Sequence, residues 1–185
     1  AYHFKIFAKD NSGNYSAYGV VPNGSPITPN PTTMLAGGTD PSSTTIAPGG
    51  TATNADSFTL QTTQGTDVIT SVVVTFASST ATSTSLVEIT NDAGSIVYGS
   101  TTNPTTDTPT ITLNNNTLTA NTTPTQYRVR ITSKTHANLL SNIVYPVSVY
   151  VSSTTGSNAN RTGSDTGSAI ISVDNKSPSV VSLAN

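Results

Sequence analysis

The chain has 185 residues, of which only 9% are charged, with no cysteine and a formal net charge of −2. This composition excludes a basic surface for nucleic acid, and without cysteine there is no disulfide framework or thiolate chemistry. Ser and Thr make up about a third of the chain, while the hydrophobic 34% occurs in short β-branched runs that disordered chains lack. The composition therefore predicts a folded, β-rich protein. Scarce Lys and Glu beside abundant Thr, Ser and Asn favour an extracellular or cell-surface location.

An alternating strand pattern opens the chain. Residues 2–9 read YHFKIFAK, with the period of two that is typical of a half-buried strand. The turn DNSGN at 10–14 follows, and YSAYGVV at 15–21 is the predicted returning strand. A strand with an apolar face and unpaired backbone groups needs a partner, so we predict that residues 2–9 are a self-assembly strand. Its apolar positions are Tyr2, Phe4, Ile6 and Ala8.

The DNSGN turn allows two interpretations. Asp and Asn oxygens at alternating positions suit Ca²⁺, whereas the same side chains often bond their own backbone in Asx turns. The segment lacks the bidentate acid that completes an EF-type loop. We therefore favour the Asx turn over a calcium site.

Pro and Gly crowd residues 22–51, which are predicted to be a linker. Strand patterns return from about residue 56, and the most apolar of them, DVITSVVVTFA at 67–77, suits a central strand. The clearest hairpin is SLVEITNDAGSIVYGS at 85–100. Further strand patterns lie at 57–61, 109–113, 126–132, 142–151 and 168–174.

Two of these patterns carry more detailed predictions. In QYRVRIT, Tyr127, Val129 and Ile131 are predicted to face inward, while Arg128 and Arg130 face water. Pro146 cannot donate to a ladder, so its strand is predicted to be an edge strand or to contain a bulge. Short strands separated by polar loops, without a sustained helical period, predict an all-β sandwich.

The chain ends on a second isolated strand pattern. After Asp174 comes NKSPSVVSLAN, in which a proline precedes a new apolar run. This pattern predicts the first strand of another unit, and its apolar positions are assigned to the same self-assembly function as the N-terminal strand. Those positions are Val180, Val181 and Leu183.

Both ends of the chain resemble parts of bacterial fibronectin type III repeats. YHFKIFAKDNSGNYS is similar to the last two strands of such a repeat, and VDNKSPSVVSLAN at 173–185 is similar to a junction followed by a first strand. Between them, residues 52–174 resemble the Ig-like modules interleaved with such repeats in very large secreted bacterial proteins, above all in SLVEITNDAGSIVYGS and GSDTGSAIISVDN. The matching N-terminal positions are Tyr2, Phe4, Ala8, Asp10, Gly13, Asn14 and Ser16.

The resemblance implies a fold class and a domain organisation. The fold is expected to be an Ig-like antiparallel β-sandwich with incomplete fibronectin type III-like strands at both termini. The expected parts are the terminal strands of a fibronectin type III-like unit at 1–21, the linker at 22–51, the sandwich at 52–174 and an opening strand at 175–185. The sequence lacks the middle strands of a fibronectin-type domain. We therefore expect the terminal strands to complete a sheet with another copy or a neighbouring repeat.

Side chains suited to catalysis are scarce. Glu88 is the only Glu, although glycoside hydrolysis needs a pair of carboxyl groups. His3 and His136 have no nucleophile-elbow motif near them, and two distant His without Cys make a zinc site improbable. We therefore predict no catalytic residue, no metal site and no cofactor. An intramolecular Lys–Asn isopeptide bond with Glu88 as its acid stays open, with Lys5, Lys9 and Lys134 as the candidate lysines.

Two functions fit these observations. The favoured one is a non-catalytic structural module of an extracellular filament or surface repeat protein, joined head to tail to copies of itself or to neighbouring repeats by strand complementation. The alternative is an adhesin or carbohydrate-binding module with a glycan or other surface ligand. There is no Trp, and aromatic residues make up only 6% of the chain, which leaves little for sugar stacking. Neither membrane insertion nor a nucleic-acid partner is predicted.

Overall fold

The computed structural model describes residues 5–15, 19–20 and 30–177. The chain divides into two compact units, Ala1–Asn30 and Pro31–Asn185. Among the described residues there is no helix long and apolar enough to cross a membrane.

The first unit contains a short β-hairpin. Strand β1 (Lys5–Ile6) pairs antiparallel with strand β2 (Gly19–Val20), and a bridge joins Lys9 to Tyr15 nearer the turn. The predicted strand, turn and returning strand are therefore present in the described part of residues 2–21.

The second unit is an all-β sandwich, as the sequence predicts. One layer is a six-stranded sheet in the order β14-β3-β5-β11-β7-β8. Its strands are β3 (Thr32–Gly37), β5 (Thr53–Thr62), β7 (Thr84–Asn91), β8 (Val97–Thr102), β11 (Thr125–Ser133) and β14 (Asn160–Ser164).

The second layer is built from two ladders. In the first ladder β6 pairs with β13 on one side and with β9 and β10 on the other, and in the second β15 lies between β12 and β4. After Ser148, β12 continues into β13, so one stretch of chain links the two ladders. These strands are β4 (Thr44–Ile46), β6 (Asp67–Phe76), β9 (Thr110–Thr112), β10 (Leu118–Ala120), β12 (Val144–Val147), β13 (Val149–Gly156) and β15 (Ile171–Asp174).

The hydrophobic core lies between the layers and follows the alternation of the strands. The prediction for β11 is confirmed, because Tyr127, Val129 and Ile131 are buried while the arginines between them are partly exposed. In β6 the buried positions change from odd to even numbers between Ile69 and Val72. A shift in its register with β13 accompanies this change, as expected for a β-bulge. The bulge lets one strand keep apolar side chains in the core on both sides of the irregularity.

The linker predicted for residues 22–51 is corrected by the structure. From residue 31 onward this segment belongs to the sandwich, since β3 pairs with β5 and β4 pairs with β15. The strand Thr32–Gly37 buries Thr33 and Leu35, with Pro31 directly before it and Gly37 as its last paired residue. Proline and glycine therefore punctuate short strands here, and residues 22–29 lie outside the described part of the chain.

The all-β class of the expected antiparallel sandwich is confirmed, but two of its strand pairs are parallel. β3 runs parallel to β14, and β4 runs parallel to β15. Both parallel pairs join the beginning of the sandwich to its end. Pro146 lies in β12, the outer strand of its ladder, in agreement with the edge position predicted for it.

Candidate functional site

The structure describes two of the residues predicted for self-assembly, Ile6 and Ala8. Ile6 lies in β1 opposite Gly19, and Ala8 follows the strand at an exposed position. The remaining predicted residues lie outside the described part of the chain: Tyr2, Phe4, Val180, Val181 and Leu183.

The DNSGN turn is an Asx turn, which was the favoured interpretation. One carboxylate oxygen of Asp10 accepts the backbone N–H groups of Ser12 and Asn14, both at 2.9 Å, and the other accepts the Asn14 side-chain amide at 3.1 Å. The hydrogen bonds from Asn14 lower the pKa of Asp10, because they stabilise its charged form. Gly13, with φ of +91°, supplies the left-handed backbone that the turn requires.

The side chains considered for catalysis are held in structural contacts. Glu88 is half-buried in β7, where the register places it opposite Arg130 of β11 and Ser100 of β8. The imidazole Nδ1 of His136 contacts the side-chain oxygen of Asn175, which is itself buried. Neither residue is positioned beside a nucleophile by these contacts.

The sheet register does not favour a Lys–Asn isopeptide bond with Lys134 as its lysine and Glu88 as its acid. Lys134 follows Ser133, the last residue of β11, which pairs with Thr84, whereas Glu88 pairs with Arg130. Four residues along a strand correspond to roughly 13 Å. The two side chains therefore belong to different places on the sheet.

Three aspartates from separate segments meet at one side of the sandwich, and no sequence pattern had singled them out. Asp40 lies between β3 and β4, Asp56 lies within β5, and Asp165 follows β14 directly. Asp56 is 0% exposed, no N–H or hydroxyl donor of the described residues reaches its carboxyl oxygens, and its side chain lies within hydrogen-bonding reach of the carboxyl groups of Asp165 and Asp40. This group, called here the aspartate cluster, is the most unusual polar feature of the described structure.

Backbone and hydroxyl donors hold two members of the aspartate cluster. Asp165 accepts the N–H of Val151 in β13 and the N–H of Thr166, both at 2.8 Å. Asp40 accepts the Ser57 N–H at 3.1 Å, and its other oxygen accepts the N–H and the hydroxyl of Ser168 at 2.8 and 2.6 Å. The cluster therefore connects both layers of the sandwich.

Glycines allow the segments to approach each other at the cluster. A Cβ on Gly38 would lie 2.9 Å from the backbone oxygen of Ser57, and one on Gly167 would lie 1.9 Å from the backbone oxygen of Val149. Real side chains do not tolerate such contacts with backbone. Glycine at these two positions thus allows the loop that contains Asp40 to pack directly against β5, and the loop that contains Asp165 to pack directly against β13.

The electrostatics of the cluster distinguish its three carboxyl groups. Burial, followed by the charges of Asp165 and Asp40, raises the pKa of Asp56 to about 9. Burial also raises the pKa of Asp165, against the hydrogen bonds it accepts. For Asp40, burial is outweighed by hydrogen bonds from Ser168 and Ser57, which lower its pKa. Because its pKa lies well above 7, the carboxyl group of Asp56 is protonated at neutral pH.

A second buried aspartate shows the opposite behaviour. Asp67 at the start of β6 is 0% exposed and accepts hydrogen bonds from Thr33 at 2.6 Å, Ser157 at 2.9 Å and Arg161 at 2.8 Å. Burial acts to raise its pKa, but these donors and the charge of Arg161 together lower it. Asp67 is thus a satisfied structural carboxylate, unlike Asp56.

The surface carries a polar cavity of about 390 Å³ at the end of β11. It is lined by Ser85, Asn103, Lys134, Thr135 and Asn138. Tyr98 and Tyr145 are not among the lining residues, because they pack against the hydrophobic core.

As the side chains stand, no group of three or more His, Cys, Asp and Glu residues in the described ranges could hold a metal ion. No protein-family model matches the chain, and no curated protein sequence is significantly similar to it.

Proposed function

We propose that the protein is a non-catalytic structural module of an extracellular filament or surface repeat protein. Neighbouring copies or repeats are joined head to tail by β-strand complementation. The sandwich acts as a spacer, and the strands flanking it make the connections.

The main support for this proposal is the β1–β2 hairpin. Two strands pair in the described part of the first unit, and an isolated two-stranded hairpin is at best marginally stable in water. Stability comes with a third strand or with a packed apolar face. A strand from another repeat or another copy supplies both, because it adds main-chain hydrogen bonds and covers the apolar side of the pattern at residues 2–9.

The strand order of the second unit supports an Ig-like assignment. With β3, β5, β6, β7, β11, β12–β13 and β15 lettered A to G, the layers contain the orders A-B-E-D and C-F-G. This is the arrangement of constant-type Ig domains. Such sandwiches commonly serve as modules of cell-surface proteins, which fits a spacer.

The polar chemistry of the described residues is consistent with a structural role. Asp67 and Arg161 connect strands, Asp10 closes a turn, and His136 contacts Asn175 near the end of the sandwich. The aromatic rings that sugar stacking requires are engaged in the core. Because this holds for five aromatic residues of the sandwich, Phe58, Phe76, Tyr98, Tyr127 and Tyr145, but not for the exposed Tyr15 of the first unit, the adhesin or carbohydrate-binding alternative ranks second.

The proposal is tested by the assembly state of the purified protein, measured by light scattering after size exclusion and by negative-stain microscopy. We expect oligomers or fibres that disappear when residues 1–9 are deleted or when Ile6 in β1 is changed to Lys. Ser12→Lys in the exposed turn is the matched control and should leave assembly unchanged. A wild-type protein that stays monomeric at all concentrations and binds arrayed glycans would replace this proposal with the recognition function.

A further inference from the structure

Two loops of the sandwich, residues 38–43 and 165–170, are hydrogen-bonded to each other and are together called here the flap. The hydroxyl and the N–H of Ser168 donate to one carboxylate oxygen of Asp40 at 2.6 and 2.8 Å. The N–H of Ile170 donates to the hydroxyl oxygen of Ser43 at 2.9 Å. Because of these bonds, the two loops can leave the sandwich only together or after separating from each other.

The flap crosses between the two layers of the sandwich and is bound to both. Its first loop connects β3 in one layer to β4 in the other, and its second loop connects β14 to β15. Asp40 accepts the N–H of Ser57 in β5, while Asp165 accepts the N–H of Val151 in β13. The aspartates of the flap therefore attach it to the backbone of both layers.

Asp56 lies beside these two aspartates and can bind them only when it carries a proton. It is 0% exposed, and the carboxyl groups of Asp165 and Asp40 lie within its hydrogen-bonding reach. Ionised carboxyl groups only accept hydrogen bonds, whereas a protonated one donates its O–H. Like charges held away from water also repel each other strongly. A proton on Asp56 thus replaces a repulsion by a hydrogen bond between β5 and the flap.

The other ionisable side chains around β5 do not supply a compensating charge. β5 has no second ionisable residue, and its neighbours β3 and β10 have none. In β11, Arg128 is paired with Asp92, and Arg130 donates to two backbone carbonyls. The Tyr127 hydroxyl donates to a backbone carbonyl of β10, and Tyr150 alternates with the buried valines of β13. The interaction between β5 and the flap therefore depends on the three carboxyl groups alone.

We propose that Asp56 and the flap form a proton-controlled latch. With a proton on Asp56 the flap is closed on β5 and β13, and loss of this proton opens the flap while the remaining strands stay folded. The latch goes beyond the proposed spacer function and does not depend on it, because all its parts lie in the sandwich of one chain.

The direction of the pH dependence follows from the two states of Asp56. In the closed state its pKa is about 9, while an opening that admits water restores the ordinary value of 3.8. The closed state therefore holds a proton that the open state releases. Between these two values the ratio of open to closed molecules rises about tenfold for each pH unit, and it levels off above about pH 9. The latch is thus closed most firmly in mild acid.

The proposal is tested by native-state hydrogen exchange of the intact chain, followed by NMR. Exchange is measured at about pH 6, 7 and 8, each at several low urea concentrations, because local opening exposes little surface and responds weakly to urea. The reporters are the four N–H groups that the flap aspartates accept, those of Ser57, Val151, Thr166 and Ser168. We expect their protection factors to fall about tenfold per pH unit and to depend little on urea.

An internal control comes from the other buried aspartate. Asp67 accepts the N–H of Asn158, and hydrogen bonds together with Arg161 lower its pKa. The protection factor of Asn158 in local opening should therefore be the same at each pH. Reporters whose protection factors do not change with pH would overturn the proposal. So would reporters that exchange only with the urea dependence of the core strands, because they would then open by global unfolding.

A variant separates the proton from the hydrogen bond. Asp56→Asn keeps a donor at every pH, so the protection factors of the reporters should fall much less than tenfold per pH unit, with Asp165 as the remaining contribution. Asp174→Asn, at an exposed position of β15, is the matched control and should keep the wild-type behaviour. An unchanged tenfold fall in Asp56→Asn would refute the latch. If that variant does not fold, the wild-type reporters and Asn158 decide the question.

Discussion

The guanidinium of Arg161 lies 2.8 Å from the carboxylate of Asp67, and this contact joins β14 to the beginning of β6. Asp67 is fully buried, whereas the side chain of Arg161 is 22% exposed. The same carboxylate also accepts hydrogen bonds from β3 and from the β13–β14 connection. A single buried charge thus holds four segments together near one end of the sandwich.

Replacement of Arg161 should therefore be costly. In Arg161→Met the carboxylate of Asp67 stays buried but loses its cationic partner. We expect the free energy of unfolding to fall by about 2–3 kcal/mol, within the range for hydrogen bonds to charged groups. Urea denaturation with an unchanged slope measures this loss.

Arg128→Met is the control for that measurement. Arg128 is paired with Asp92 at the same 2.8 Å, but the Asp92 side chain is 53% exposed. An exposed pair of this kind is worth about 0.2–1 kcal/mol. Equal losses in the two variants would show that burial of the carboxylate is not what makes the Asp67 contact important.

The stability of the protein should decrease as the pH rises. The pKa of Asp56 is raised from 3.8 to about 9 by burial and by the charges of Asp165 and Asp40. The folded state therefore holds a proton that the unfolded state has released. The resulting stabilisation is full below the unfolded pKa and is lost as the pH rises towards the folded pKa. We expect Tm to fall steadily between about pH 5 and pH 9 and to level off above that.

Asp56→Asn gives the matching control, because the amide has no proton to lose. Its Tm should depend less on pH over the same range, with the raised pKa of Asp165 as the remaining contribution, while Asp174→Asn, at an exposed position of β15, should follow the wild type. A wild-type Tm that is constant across this range would contradict the assignment of the proton to Asp56.

Glycine at position 99 should be essential for the packing of β8. A Cβ at Gly99 would lie 2.2 Å from the backbone oxygen of Thr112 in β9, so Gly99→Ala must separate two strands. Overpacking of this kind costs about 1–3 kcal/mol. In Gly65→Ala the added Cβ meets nothing within 4 Å, and the only cost is the left-handed φ of +65°. Denaturation of both variants by urea distinguishes the steric effect from the backbone effect, and an equal loss in both would contradict the predicted clash.

The phenol of Tyr127 should titrate well above the ordinary pKa of a tyrosine. Burial, followed by Tyr98, raises its pKa to about 12, and its ring packs against Phe58 with centroids 5.7 Å apart. Ultraviolet difference spectra should show one phenol that ionises only near pH 12 or on unfolding. That component should be missing in Tyr127→Phe and kept in Tyr15→Phe, since Tyr15 is 66% exposed. Ionisation of all tyrosines near pH 10 in the folded protein would refute this assignment.

The sandwich could be predicted from the sequence where apolar alternation was long enough to test. β6, β11 and the β7–β8 hairpin lie where the pattern placed them, because their side chains alternate between the core and the surface. β3 and β4 were not predicted, because both strands are short and the proline and glycine residues around them are typical of a linker. Parallel pairing could not be predicted, since it depends on contacts between residues more than 100 positions apart.

The aspartate cluster was missed for a related reason. In β5, Asp56 alternates with Phe58 and Leu60 and lies on the same buried face of the strand. A charged residue on the buried face of a strand pattern was therefore the signal that could have pointed to the cluster. The two partners of Asp56 lie in loops, where aspartate is ordinary. Only the three-dimensional arrangement shows that the three carboxyl groups meet.

The parallel pairing of β4 with β15 has a mechanical consequence. Thr44 to Ile46 lie beside Ile171 to Val173 and run in the same direction, while β3 and β14 repeat this arrangement in the other layer. When tension is applied between β4 and the last strand, β15, these two parallel strands are pulled lengthwise past each other. Because ladder hydrogen bonds run across the strands, such shear loads all the bonds of a pair at once, whereas peeling breaks them one after another. The sandwich is thereby built to resist tension along the chain.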